Sequence, residues 1–308
     1  MRRCAFGVWW TKDVQQLFEY ALSTRESDRP LRIVGFDVQF TPGAHRSLPG
    51  ILRDWLQPYS GALADRAFAA DSAFLSDFAP KNSTVFDSVA AVLDGQAPAI
   101  ARASSRSEVD IHLLAISLRS IAAFQRIGRA DTVKAMVWQR DRGMASNIRD
   151  LLALYPESKF IIWGHNFHLR ERNSDVKPYF NPTMGEWLDY ELGSDLYTIG
   201  FYMGEGTATN NDRSIYAIAS PEAGFLEHRM AVATESALVR AGVSSGGKVG
   251  ASALADSFLG EDDQLAGAGR TVRWTGFRPK RLTADLCGYA IVWRLFCLPP
   301  GSTRRPAV

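Results

Sequence analysis

Cysteine is nearly missing from this chain. Cys4, Cys287 and Cys297 are the only three in 308 residues. An odd number with no CxxC spacing argues against a disulfide framework or a structural zinc site, and for a reducing compartment. No apolar run approaches the roughly 18 residues of a membrane span. The N-terminal MRRCAFGVWWTKD has two arginines and a short apolar run, but neither a full hydrophobic region nor a small-residue cleavage site of a signal peptide. Charge of one sign is not in excess: the net charge is +2, and the arginines are scattered, so nothing electrostatic points to nucleic acid or an anionic membrane. There is no G-x-S-x-G elbow, and Ser236 and Ser252 have no suitable neighbours, which leaves a Ser-His-Asp hydrolase with little support. Ser244–Gly250 contains Gly-Lys but lacks the upstream glycine and following Ser/Thr of a phosphate loop. No internal repeat is visible. The expectation is a cytoplasmic protein, with neither nucleic acid nor membrane as partner.

What is present is an ordinary globular composition, 46% hydrophobic and 22% charged, with length for a sizeable core. Val8–Leu22 has Val14, Leu17, Phe18, Ala21 and Leu22 at three-and-four spacing, and Thr11 as its N-cap, the pattern of an amphipathic helix. Leu31–Phe40 is rich in β-branched and aromatic residues, stopped by Thr41-Pro42-Gly43, and reads as a strand. From Leu48 to Ala135 only helices are expected: Ile51–Leu56, Ala62–Phe78, Val85–Leu93 and Glu108–Ile127, parted by Pro58, Pro80 and Gly95–Pro98. The alternation then returns, with helices over Gly143–Leu154, Gly185–Leu192 and Ala231–Ala241. Strands are expected over Lys159–Trp163, Leu196–Tyr202, Ser214–Ala219, Thr271–Phe277 and Tyr289–Leu295, and a loop over Ser244–Gly250. The fold class is therefore α/β, with a mostly parallel central sheet flanked by helices. Residues 1–308 form one domain, and 48–135 a helical insertion subdomain within it. The strand that should precede the first helix is missing, so the pattern starts in mid-motif.

Four segments can carry chemistry. Phe160-Ile-Ile-Trp-Gly-His-Asn-Phe-His168 runs a buried apolar strand into His165, Asn166 and His168, two of the five histidines in the chain. Side chains at strand ends face the crevice of an open sheet, where a histidine can act as general base or as hydrogen-bond donor to an oxyanion. Two structural histidines in a loop fit the same residues. A shared metal ion requires a turn between them, because positions three apart in extended chain face opposite ways. In Arg140-Asp-Arg-Gly-Met-Ala-Ser-Asn147, Arg140 and Arg142 can hold a carboxylate of substrate or protein by a bidentate pair, or simply open a solvated helix. Asp37 and Gln39 lie two apart near a strand end, lining a crevice or closing the strand. Glu205, between Gly204 and Gly206, follows another strand. His165, His168, Arg140 and Asp37 are expected to approach one crevice.

In order and spacing, five pieces resemble the erythromycin esterase-like family, which includes succinoglycan-biosynthesis-like proteins: Val8–Val14, Val34–Gln39, Arg140–Asn147, Ile161–His168 and Tyr197–Phe201. The resemblance covers about residues 8 to 220. It implies hydrolysis of a macrolide lactone or related carboxylic ester by activated water, without metal or cofactor, in the response to antibiotics. His165 and His168 match the family's His-Asn-x-His pair and stand as catalytic residues. Arg140, Asp37, Gln39, Asn166 and Glu205 are the substrate-binding or orienting set, with no metal ligand among them. The resemblance puts the general base in a G-E-x-x-H-G-type motif upstream of the Trp-Thr segment. These residues contain no such motif, and the first histidine is His45. The expectation is an N-terminally incomplete chain, impaired as an esterase without that base. A ligand-binding remnant of the same fold and a metal-dependent hydrolase using the histidine pair are the rival readings.

Overall fold

The computed structural model describes residues 9–39, 46–77, 83–175, 181–200, 205–210, 212–223, 228, 240–243, 249–251 and 272–273. The chain divides into two units, Met1–Ile162 with Ile291–Val308, and Trp163–Ala290. In the first unit the described residues are helical or irregular. Helix α1 (Lys12–Ser23) starts where the sequence signals it: the Thr11 hydroxyl accepts from the Val14 amide at 3.2 Å. It is followed by α2 (Leu48–Leu56), α3 (Gly61–Asp77) and α4 (Ser83–Gly95). Gly95–Pro98, expected as a break, is also a fresh start. Pro98 sits in the first turn of α5 (Ala97–Ser104), where its missing N–H has no helical partner to lose. Ser105, at φ 55°, ends α5 in the left-handed region.

Helix α6 (Glu108–Ile127) carries a reciprocal cap: the Ser107 hydroxyl accepts from the Asp110 amide at 3.1 Å, and the Asp110 carboxylate accepts from the Ser107 amide at 3.3 Å. Two of the four orphan N–H donors of the helix end are thus satisfied. Ile111, Leu114, Leu118 and Ile121 form one fully buried stripe, each contributing about 2 kcal/mol of burial. It packs on α4 and α5, in a core that also takes Leu52 of α2 and Phe74 of α3. Phe74 meets Phe86 and Phe124 edge-on at centroid distances of 6.3 and 6.2 Å, the preferred geometry of aromatic quadrupoles. On the outer side, Asp94 of α4 binds both His112 and Arg119 of α6, and Arg119 reaches Asp150 of α7 (Val133–Leu154). The helix expected from Gly143 thus begins ten residues earlier, capped by Thr132.

The expected strand at 31–39 is the main correction in this unit. Its described residues are irregular, with a bend at Val38, and Phe36, Asp37 and Val38 are buried, but they pair with no strand. The Phe36 carbonyl, which a ladder would use, accepts instead from the Asn147 amide side chain at 2.7 Å. The segment 159–163 likewise forms no strand. A mostly parallel central sheet is therefore not formed by the described residues.

Among its described residues the second unit holds the short helix α8 (Asn166–Leu169), α9 (Met184–Leu192), a 3-10 turn (Gly193–Asp195) and six strands. Strands β1 (Thr198–Ile199), β6 (Val272–Arg273), β4 (Arg240–Val243) and β5 (Val249–Ala251) form one sheet in that order. Only β1 and β6 are parallel, with Thr198 opposite Val272; the other pairs are antiparallel. Strands β2 (Gly206–Thr209) and β3 (Ile215–Ile218) form a hairpin. Arg240 and Ala241, expected in a helix, and Val249 and Gly250, expected in a loop, are strand residues because they pair with each other's strands. The rest of the expected helix 231–239, loop 244–248 and strands 274–277 and 289–295 lie outside the described residues, as do 201–202 and Phe40. The class is mixed α and β, dominated by helix. Among the described residues no helix is long and apolar enough to cross a membrane.

Asp71, fully buried on α3, is an exposed-class residue in a helical core. Burial pushes its carboxyl up to about 8. A carboxyl raised on folding leaves stability intact below its ordinary value near 4 and removes it as pH rises towards 8, by up to ~1.4 kcal/mol per pH unit. Asp71→Asn is expected to flatten this slope. Urea-unfolding midpoints at pH 5 and pH 8 should differ clearly in the parent protein and little in the variant.

Candidate functional site

One face of α7 in the first unit runs along segment 32–39, of which 35–38 are buried. Arg140, Gly143 and Asn147 recur at three- and four-residue spacing, so they share that face. Arg140 grips Asp37 with both prongs: Nε to Oδ1 at 3.1 Å and Nη2 to Oδ2 at 2.5 Å. The Asp37 side chain is 0% exposed and that of Arg140 20%, so the carboxylate is sealed and only the guanidinium has an outlet. Asp37 Oδ1 also accepts from the Gln39 amide at 3.0 Å, a local turn that aspartate favours. Asn147 bridges the Phe36 carbonyl and the Ser120 hydroxyl of α6, at 2.7 and 2.9 Å. Arg32 lies over the Tyr155 ring at 5.4 Å. Contacts that climb the helix from Asn147 to Tyr155 thus descend the segment from Phe36 to Arg32, so the two run antiparallel.

Gly143 is where they touch. A Cβ there would sit 2.6 Å from Val38 Cγ1, so the side chain of residue 38 occupies the space that residue 143 leaves. This explains a glycine inside a helix, where it costs about 1 kcal/mol of propensity.

In the second unit, His165 caps its own turn. It has extended backbone at φ −66°, ψ 140°, and its Nδ1 accepts from the Phe167 amide at 3.0 Å. The His165 carbonyl accepts from the His168 amide at 2.9 Å, winding the four residues Asn166–Leu169. That turn brings the two imidazoles edge to face, centroids 6.3 Å apart at 72°, with Phe167 edge-on to His168 at 5.4 Å. His168 is buried and His165 half-buried. The far end of the turn is seated on α9. A Cβ at Gly185 would fall on the Leu169 carbonyl, the Thr183 hydroxyl donates to the Arg170 carbonyl, and Arg170 Nη1 donates to Asn173 Oδ1 at 3.2 Å. Glu186 accepts from both the amide and the hydroxyl of Ser174.

The expected site residues thus fall into two groups. Arg140, Asp37 and Gln39 meet in the first unit, with Asp37 closing its own segment and exposing no oxygen. His165, Asn166 and His168 share one turn in the second. Glu205 is exposed beside β2 and accepts from Ser220, apart from the histidine turn in its bonding. Arg142 lies over the Trp138 ring at 5.6 Å and makes no bidentate pair among the described residues. An open cleft of about 490 Å³, lined by Glu171, Arg172, Asp175, Glu186, Asp189 and Tyr190, includes none of the expected residues. Among the described residues no three His, Cys, Asp or Glu side chains converge as a metal site.

The erythromycin esterase family model matches residues 1–261. The chain belongs to the erythromycin esterase family. It is 25% identical over 270 residues to the Bacillus subtilis (strain 168) protein named "Putative hydrolase YbfO", a match covering 77% of this chain and 60% of that one. The chain therefore spans about 60% of the length of this curated relative. A protein of Bacillus cereus, solved by crystallography, shares the fold with a TM-score of 0.55 at 18% identity, over 72% of this chain and 58% of its own.

Within this family member, sequence reasoning passed over Asn147, Gly143, Thr183 and Gly185. The first two were legible: they stand three and seven residues after Arg140, on its helix face. Gly185 had no such signal, because its neighbour Leu169 is remote in sequence. Removing one partner of a buried ion pair costs about 3–5 kcal/mol, whereas removing both costs far less. Arg140→Met is therefore expected to destabilise the first unit strongly, and adding Asp37→Asn to restore most of the loss. Chemical denaturation of the two single variants and the double variant checks the coupling.

Proposed function

We propose that this chain is a hydrolase of carboxylic esters, with a macrolide lactone as the substrate class and His165 and His168 at the reacting carbonyl, acting in the cytoplasm in the response to antibiotics. The observation that carries the reading is the histidine pair: two imidazoles fixed edge to face on one capped turn, in a member of the erythromycin esterase family. The name of the Bacillus subtilis relative supports hydrolysis. In the reaction, a water oxygen bonds to the lactone carbonyl carbon, the bond from that carbon to the ring oxygen breaks, and the water's proton ends on the departing alkoxide. One hydroxy acid results. Such a reaction requires a base for the water and donors for the oxyanion.

His168 suits the first task within these residues, being a buried imidazole whose ring is oriented by Phe167 and His165. Arg140 holds Asp37, keeps segment 36–39 in place, and is substrate-binding in this reading. Asn166, Gln39 and Glu205 are substrate-orienting in this reading. In this reading the 48–135 helices are an insertion subdomain.

The test is incubation of the purified chain with erythromycin and detection of a product heavier by one water. Slow hydrolysis is expected, as for a chain whose 308 residues hold no G-E-x-x-H-G histidine, and His168→Ala should slow it further, by at least about 100-fold. Full activity of that variant would remove His168 from the chemistry. Depletion of free erythromycin without product would make the chain a binding protein instead.

A further inference from the structure

Resting on the reading of Arg140 as a substrate-binding residue, we propose that Asn147 is a positioning residue for the Arg140–Asp37 pair, and that Ser120 of α6 is its anchor. The geometry of the guanidinium is then set from the helical region, through side chains that hydrogen-bond to neither member of the pair. The direction of each bond follows from the chemistry of the groups. A backbone carbonyl can only accept, so the Asn147 atom 2.7 Å from the Phe36 oxygen is the amide nitrogen, and the donor end of the side chain faces the segment. The second hydrogen of that nitrogen goes to the Ser120 hydroxyl at 2.9 Å, and the proton of the hydroxyl goes to the Ile116 carbonyl at 3.0 Å. Each proton of this relay has one acceptor. Phe36, Ser120 and Asn147 are all buried, so turning any one of them strands a donor or an acceptor away from water.

The hold on Asp37 passes through a peptide plane. The carbonyl that Asn147 grips and the backbone nitrogen of Asp37 belong to one planar unit, so the direction of that carbonyl places the Asp37 Cα. The carboxyl carbon is two bonds away, and its Oδ1 is held again by the Gln39 amide at 3.0 Å. A two-pronged bond such as that from Arg140 persists only while the carboxylate keeps its place and tilt against the fork. Asn147 stands seven residues beyond Arg140, about 10 Å along the helix, so segment 36–37 carries its effect. The anchor is itself braced. Next to Ser120, Arg119 donates to Asp150 at 2.9 Å, one turn beyond Asn147, and α6 cannot slide along α7 without breaking both ties.

Two substitutions test the relay. Asn147→Asp keeps the shape and turns a carboxylate towards the Phe36 carbonyl, whereas Ser120→Ala keeps the Phe36 bond and strands one amide hydrogen. Nitrogen-15 spectra of the full chain should show a slowly exchanging Arg140 Nε–H in the parent. Its exchange is expected to quicken at least about 5-fold in Ser120→Ala, the least effect of stranding one buried donor, and further in Asn147→Asp. With erythromycin as substrate, Asn147→Asp should raise KM at least about 5-fold and leave kcat per folded molecule near the parent value, because a binding arginine acts on ground and transition states alike. A lower kcat at unchanged KM, or an unaltered Arg140 Nε–H signal in folded Ser120→Ala, overturns the proposal and leaves Asn147 a residue of the fold alone. Quickened exchange at Arg140 in a chain that hydrolyses no ester overturns the hydrolase reading and keeps the positioning.

Discussion

The bidentate pair between Arg140 and Asp37 is the constraint on which the first unit's arrangement depends. A carboxylate with no exposed surface must be neutralised or paired, and here the pairing partner stands on a helix 103 positions further along the chain. Against a hydrophobic replacement such a pair adds little net stability. What it supplies is a unique position: the guanidinium fork has one orientation on a carboxylate, and that fixes segment 36–39 along α7. Once it is fixed, Asn147 finds the Phe36 carbonyl, Val38 finds the gap at Gly143, and Ser120 brings α6 into the same contact. The large apolar core of α2 to α6 gives the unit its stability, while the polar contacts choose the register.

The second unit repeats the device on a smaller scale. The histidine turn has only four residues, too few to be stable on its own. It persists because its first donor is capped by His165 and its end is seated on α9, where Gly185 allows backbone to approach and Thr183 meets a carbonyl. In both units a glycine provides room and a neighbouring polar side chain provides the tie. The groups proposed for chemistry are in each case held by their surroundings before any ligand arrives.

The sequence was most legible where one local rule decides. Glu108–Ile127 matches α6 end to end, since its three-and-four apolar spacing is set by local sequence alone. Thr11 was recognised as a cap because the apolar pattern begins just after it. The strand at 31–39 was misread for a physical reason. A segment buried on both faces has the same composition whether a sheet or a helix face covers it, and the side chain that takes its carbonyl, Asn147, lies 111 residues away. Gly143 misled in a similar way: it looked like the opening of a helix, and its meaning depends on Val38. Of the candidate site, the clustering of His165 with His168 and of Arg140 with Asp37 could be anticipated as pairs. The capping role of the His165 ring could not, because a single-residue backbone angle decides it.

The socket formed by Gly143 and Val38 has an evolutionary consequence. Neither position can drift alone: any side chain added at 143 collides with the valine, and a smaller residue at 38 would leave a void facing a glycine in mid-helix. The two sites form a single inherited character, which changes only by exchange of bulk from one to the other. Relatives that carry alanine at the first position should be found with a smaller residue at the second. The size of residue 38 would then be a marker, readable from sequence, of whether a relative keeps its segment at the same depth against this helix.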